Sequence, residues 1–229
     1  MNIAIIPARG GSKRIPRKNI KLFLENPMIS YSILAAIDSG IFEKIIVSTD
    51  DEEIRSISEK YGAEVPFMRP ADLSDDHTPI NPVINHVIEA LGSEANSYEK
   101  ICCIYPCSPL LLPEDLQNSL KLMTDLQADS CIPVCEFTSS PQRAFKIINE
   151  KKLAWINPEF RLTRTQDLEK IYHDAGVFAW AKNKKWLQGD ISDGVAYIMP
   201  NSRVADIDNP EDWKKAEILY KIMHDVTHF

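Results

Sequence analysis

Five cations fall within ten residues of this chain: Arg9, Lys13, Arg14, Arg17 and Lys18, set around the glycine pair Gly10 and Gly11. They follow an apolar run, Ile3-Ala4-Ile5-Ile6, which reads as a buried parallel strand ended by Pro7. A flexible loop with free backbone N–H groups and dense positive charge, at the carboxyl end of a strand, suits a polyphosphate. The plain alternative is a solvated basic turn. It fits poorly, because the chain carries a net charge of −7 and this loop concentrates the opposite sign. Near the other end, Asp206 and Asp208 stand at i and i+2, so an extended segment would point both to one side. Paired carboxylates suit Mg²⁺, which keeps water and takes its remaining ligands from substrate phosphates. The alternative is that Asp208 or Asn209 caps the helix that follows.

The spacing of the loop excludes two familiar phosphate motifs. It has neither G-x-x-x-x-G-K-[ST] nor G-x-G-x-x-G. The string Ala8-Arg9-Gly10-Gly11-Ser12-Lys13-Arg14-Ile15-Pro16-Arg17-Lys18-Asn19 instead resembles the A-R-x-x-S-K-x-x-x-x-K-N signature of sugar-activating cytidylyltransferases. These enzymes join CMP from CTP to 3-deoxy-ulosonic acids. The resemblance extends along the chain. Arg69-Pro70-Ala71-Asp72-Leu73 is similar to the family's loop that closes on the nucleotide, and Pro106-Cys107-Ser108-Pro109-Leu110 to its P-T-S-P-L turn. Asp206-Ile207-Asp208 matches the closing D-x-D.

What the resemblance implies is specific. CTP would contact Ala8, Arg9, Gly10, Gly11, Ser12, Lys13, Lys18, Asn19, Arg69, Thr78 and Ser108, with Arg69 at the cytosine or ribose end; a surface ion pair to Asp72 is that arginine's alternative. Lys18, Arg9, Asp206 and Asp208 would be catalytic, with Mg²⁺ on the two aspartates. The sugar would meet Tyr105, Arg143, Arg164, Gln166, His173, Asp174 and Gly176. Tyr105 stands where sialic acid synthetases carry glutamine, and His173-Asp174-Ala175-Gly176 where they carry R-P-N-G; the H-D-A-G string resembles the pseudaminic acid branch. The anomeric hydroxyl would attack the α-phosphorus and release pyrophosphate. N-acetylneuraminic or legionaminic acid is the alternative substrate. A glycosyltransferase or a non-catalytic nucleotide-binding module is a more distant one.

The elements that must position these groups follow from periodicity. Helices are expected at Met28–Ser39, with Ile29, Ile33, Leu34 and Ile37 on one face, and at Ile80–Leu91. Others start at a Thr49–Glu52 capping box, at Pro113, and at Asn209-Pro210. Strands are expected at Lys44–Thr49, Val65–Phe67, Ile101–Tyr105, Ala128–Val134, within Tyr172–Trp180, and at Val195–Met199. The expected fold is α/β, a Rossmann-like, mostly parallel sheet flanked by helices, of the nucleotide-diphospho-sugar transferase type. Residues 1–229 form one domain, interrupted at about 137–171 by a β-hairpin and a polar arm. The resemblance makes that arm a dimer contact that completes the partner's sugar site.

Composition narrows the class further. An acidic chain is a poor nucleic-acid binder, and no apolar stretch approaches the roughly 18 residues of a membrane span. Five cysteines with no secretory leader point to the cytoplasm. Cys131 and Cys135 read as small buried strand residues rather than metal ligands. The expected partners are thus CTP, a nonulosonic acid and a second copy of the chain, with neither membrane nor nucleic acid.

Overall fold

In the computed structural model, which describes residues 1–225, the opening apolar run is strand β1 (Asn2–Pro7). A two-strand ribbon, β2 (Leu22–Phe23) and β3 (Asn26–Pro27), leads into helix α1 (Met28–Ser39), which Gly40 ends at φ 63°. Then come β4 (Lys44–Ser48), α2 (Glu52–Lys60), α3 (Ile80–Leu91), β5 (Lys100–Ile104), α4 (Pro113–Asp125) and β6 (Ser130–Glu136). A hairpin, β7 (Phe145–Ile148) and β8 (Lys152–Trp155), precedes β9 (Tyr172–Asp174), β10 (Phe178–Lys182), α5 (Asn183–Gln188), β11 (Val195–Ile198) and α6 (Pro210–Asp225).

The sheet runs β11-β6-β10-β5-β1-β4, with β9 added along β6. β1 is parallel to both β4 and β5, and β11 is parallel to β6; β10 runs antiparallel between β5 and β6. Both faces are covered. Ala4, Ile6, Val47, Cys102 and Ile104 pack on one side with Ile29 and Ile33 of α1 and Leu116 and Met123 of α4. Ile3, Ile5, Ile46, Ile101 and Cys103 pack on the other with Ile84 and Val87 of α3 and Trp186 of α5. Two covered faces explain why β1, β4 and β5 read as continuous apolar runs rather than alternating ones. A third, smaller core joins Ile15 of the basic loop to Phe23, Met28, Ile207, Trp213 and Ala216.

Several local expectations change. Leu34 and Ile37 are 40% exposed, so the buried face of α1 is narrower than its apolar pattern. Helix α2 is capped by Asp51, whose carboxylate accepts from the N–H groups of Glu53 and Ile54, not by Thr49. Val65–Phe67 forms no ladder; isolated bridges at Glu64 and Met68 flank it, and Pro66 has no N–H to add. β6 begins at Ser130 rather than Ala128, after a turn with Gln127 at φ 52°. The hairpin turns through the three residues Asn149, Glu150 and Lys151, the first two at positive φ. Its side chains find little cover: Phe145, Ile147 and Leu153 are 49%, 69% and 64% exposed.

Asp115 of α4 ties this frame to the acidic segment. Its carboxylate, 1% exposed, accepts from Arg203, from the Tyr197 hydroxyl at 3.0 Å and from Leu112 N at 3.1 Å. Asp115→Ala strands the Arg203 guanidinium, and removing one partner of a buried pair is strongly destabilising. The expected loss is about 3 kcal/mol in urea unfolding, with the denaturant slope unchanged. A loss below about 1 kcal/mol would show that the pair adds little.

Candidate active site

The basic loop is held from behind by the start of α2. Gly10 N donates to Asp50 Oδ1 at 2.9 Å, and a Cβ on Gly10 would sit 2.7 Å from Asp51 Oδ2, so glycine is required there. Asp51 also takes the Arg17 guanidinium in a two-pronged pair, one prong being Nη2 to Oδ1 at 2.9 Å, and Arg17 reaches Glu53 Oε2 at 2.6 Å. Arg17 sits at φ 56°, a left-handed conformation that this double anchor holds. Among the five cations Arg17 is therefore the tether. Arg9, Lys13, Arg14 and Lys18 face a cavity of about 1000 Å³. Asn19, also at the cavity, closes the loop by donating to Arg9 O at 2.9 Å.

Asp206 and Asp208 line the same cavity, on either side of Ile207, which is 2% exposed. Of the two expected caps of α6 it is Asn209 that serves and not Asp208: Asn209 Oδ1 accepts from Glu211 N and Asp212 N, and Asp212 Oδ2 accepts from the N–H groups of Asp208 and Asn209. Both aspartates thus keep their carboxylates for the cavity. Lys18 Nζ lies 2.8 Å from Ile207 O and 3.8 Å from Asp208 Oδ1, and Arg14 meets Asp208 at 2.8 Å. Burial and the neighbouring Asp208 push the Asp206 carboxyl above its ordinary range. A carboxylate held at such a disadvantage, beside a second one, fits a hard divalent cation. No group of three metal-ligating side chains forms among the described residues, so such an ion would draw further ligands from substrate or water.

The far end of the cavity is built by Tyr105, Cys135, Phe137, Thr138, His173, Asp174 and Gly176. Burial drives the Tyr105 phenol well above its ordinary range, so it stays a hydrogen-bond donor. Gly176, at φ 63°, donates its N–H to Asp174 Oδ1 at 2.8 Å. Cys135, Phe137 and Thr138 were not expected here, nor were Lys215 and Asp76, which also line the cavity. Asp76 pairs with Arg9 at 2.7 Å and with Lys13. Of these only Asp76 had a signal in the sequence, as the aspartate of the R-P-x-x-L-x-x-D string that begins at Arg69.

A family model described as cytidylyltransferase matches residues 3–189. The chain belongs to the cytidylyltransferase family. It is 41% identical over 227 residues to a pseudaminic acid cytidylyltransferase of Campylobacter jejuni, covering 98% of each chain. It is 31% identical over 233 residues to a CMP-N,N'-diacetyllegionaminic acid synthase of Legionella pneumophila, covering 96% of each. The solved structure of a CMP:2-keto-3-deoxy-manno-octonic acid synthetase complexed with CTP shares the fold, with a TM-score of 0.70 over 97% of this chain and 99% of that one, at 15% identity.

Against this cytidylyltransferase frame, the remaining expected residues divide into groups. Gly10, Gly11, Ser12 and Lys13 line a second cavity of about 500 Å³ with Ser74, Asp75 and Asp76; Gly10 and Gly11 do not line the larger one. Ala8, Arg69, Thr78 and Ser108 line neither cavity. Ala8 is buried and its N–H is used by Ser48 O, Thr78 bonds Asp75, and Ser108 bonds Val177 O. Arg69 is 6% exposed and lies 3.7 Å from Asp50, not against Asp72; its Nε and Nη2 have no hydrogen-bond partner among the described residues. A buried guanidinium left short of acceptors is costly, which agrees with a ligand contact. Arg143, Arg164 and Gln166 do not reach the cavity of their own chain. Arg164 pairs with Asp167 at 2.7 Å, and Arg143 reaches Thr165 at 3.4 Å.

The tether has a pH signature. The Arg17 hydrogen bonds hold the Asp51 carboxyl at about 2, below its ordinary 3.8. A depressed folded-state pKa adds stability above the unfolded value and loses it as pH falls through the folded one. In urea unfolding at a series of pH values, the advantage of wild type over Asp51→Asn should be full above pH 4, shrink from about 4 to 2, and weaken with salt. An advantage constant across that window would refute the tether.

Proposed function

We propose that this enzyme transfers CMP from CTP to the anomeric hydroxyl of pseudaminic acid, releasing pyrophosphate. The observation that carries the reading is one cavity with a cationic loop and a carboxylate pair at one end and the His173-Asp174-Ala175-Gly176 wall at the other. The 41% identity to a pseudaminic acid cytidylyltransferase, spanning 98% of each chain, supports the choice of sugar.

Arg9, Lys13 and Lys18 hold the triphosphate; the Gly10 N–H, spent on Asp50, shapes the loop that carries them. Asp206 and Asp208 would hold Mg²⁺, which when bound would supply charge neutralisation at phosphate oxygens. Lys18, fixed by Ile207 O, places its ammonium where negative charge grows as the α-phosphorus is attacked. The chain's task is mainly to position two substrates and stabilise charge. Tyr105 and the 173–176 turn orient the sugar. The active unit is a homodimer in which the arm's exposed Arg164 meets the sugar carboxylate of the partner's site; the uncovered Phe145, Ile147 and Leu153 support such a contact. Five free cysteines suit a cytoplasmic enzyme.

The direct test is pyrophosphate release from CTP and Mg²⁺ with pseudaminic, legionaminic and N-acetylneuraminic acids in parallel. Pseudaminic acid should give the highest kcat/KM, and a clear preference for another sugar would reassign the substrate. Lys18→Ala should lower kcat by roughly 10²-fold while the fold persists. Asp208→Asn should abolish metal-dependent turnover more than CTP binding. Full activity of either folded variant would remove that residue from the mechanism.

The shared site has its own test. An inactive Arg164→Ala protein is mixed with an inactive Asp208→Asn protein under conditions that allow subunit exchange. A heterodimer then holds one site with both lesions and one with neither, so part of the activity should return. Verified heterodimers that stay inactive would rule out the shared arm.

A further inference from the structure

Cys107 stands in the turn that follows β5 and lines the cavity beside Lys18 and Asn19. The turn is fixed to its neighbours. Tyr105 N donates to Val177 O at 2.9 Å, Ser32 Oγ to Tyr105 O at 2.8 Å and Ser108 Oγ to Val177 O at 3.3 Å. From this base the Cys107 thiol donates to Asn19 Oδ1 at 3.2 Å. Asn19 Nδ2 in turn donates to Arg9 O at 2.9 Å. The Arg9 carbonyl only accepts, so it must face the amide nitrogen, and the amide oxygen then faces the sulfur. A cysteine is mostly thiol at neutral pH, and burial raises its pKa further, so the hydrogen is there to give. The residue also packs against the small core of Ile15, Phe23 and Ile207.

The contacts from Cys107 to Asn19 to Arg9 join the two ends of the cationic loop to the end of β5. They also sort the amide. Nδ2 carries two hydrogens, and only the one spent on Arg9 O has a partner among the described residues. Asn19 is 7% exposed and lines the cavity, so the second hydrogen is what its side chain has left for a ligand there. An amide turned the other way would set its oxygen against the Arg9 carbonyl and bring no donor to a phosphate. We propose that Cys107 is a positioning residue for the nucleotide: its thiol fixes the Asn19 amide with nitrogen toward the Arg9 carbonyl, so that the cationic loop stays closed and offers a neutral donor to a phosphate oxygen. This rests on the proposed function and adds to it a residue that acts through Asn19.

The experiment exchanges the thiol for two side chains of one shape. Cys107→Thr keeps a donor on the γ atom, and Cys107→Val has the same outline and no donor. Calorimetric titration with CTP and Mg²⁺, without sugar, needs no turnover. Cys107→Val should weaken CTP about tenfold, the worth of one hydrogen bond, and Cys107→Thr should restore most of it. The KM for CTP should follow the same order, with kcat and the KM for sugar little changed, as expected when a binding contact is lost. In an Asn19→Ala background the Cys107→Val exchange should add nothing, because the thiol acts through the amide. Where the branched pair does not fold, Cys107→Ser against Cys107→Ala makes the same comparison with smaller side chains. Unchanged CTP binding in the donor-free variant overturns the proposal. Equal losses in Cys107→Thr and Cys107→Val overturn it too, since shape alone would then matter, as does a full loss that persists without Asn19. A wild type that binds CTP and turns over no nonulosonic acid overturns the sugar reading and leaves the calorimetry to decide the role of Cys107. A wild type that does not bind CTP overturns both.

Discussion

The chemistry of this chain depends on an apolar clamp. Ile15 from the cationic loop, Ile207 from between the two aspartates, and Trp213 from α6 share one small core, at 1%, 2% and 5% exposure. Burying side chains of this size is worth roughly 1.5–3 kcal/mol each. The ion pairs that span the same gap, Arg14 and Lys18 to Asp208, are partly exposed and contribute at most about 1 kcal/mol apiece. The clamp therefore holds segments almost 200 residues apart in register, and the charges ride on it. That order matters for turnover. If the ion pairs were the fastener, an incoming triphosphate that competes for Arg14 or Lys18 would loosen its own site.

The same logic separates the roles of the five loop cations. Arg17 is spent on Asp51 and Glu53, which fixes the loop's shape against the start of α2. On the proposed function the other four exchange protein carboxylates for phosphate, since their ion pairs to Asp76 and Asp208 are single contacts and not a two-pronged anchor. Gly10 closes the arrangement: the loop lies so near Asp51 that a methyl group would push the tether away.

Much of this was legible in the sequence where burial is complete. β1, β4 and β5 are covered on both faces, and α1, α3 and α4 start or end at Gly and Pro positions that leave few options. The cationic loop and the aspartate pair were legible because each concentrates charge at fixed spacing. Other features depended on tertiary context. Thr49 and Asp51 are both plausible caps, and the Arg17 pair decides between them. α5 is too short for its periodicity to show, although Trp186 anchors it fully. Cys135 looked like one more small strand residue, since nothing in a linear string makes it the sheet partner of a histidine 38 positions on.

The two ends of the cavity are built by different means, and this bears on how one fold serves several sugars. On the proposed function, the phosphate end rests on the carboxyl edge of parallel strands and on the apolar clamp. The sugar end rests on β9, a three-residue strand at the side of β6, and on side chains from the segment just after β6. Phe137 and His173 are exposed there, so they can change without disturbing the main core. Relatives at 41% and 31% identity carry names with different nonulosonic acids over nearly the same length. A division in which the phosphate end is fixed by the core and the sugar end by a lightly packed edge accounts for that range. On the proposed function, the core serves nucleotidyl transfer and the edge serves the choice of sugar.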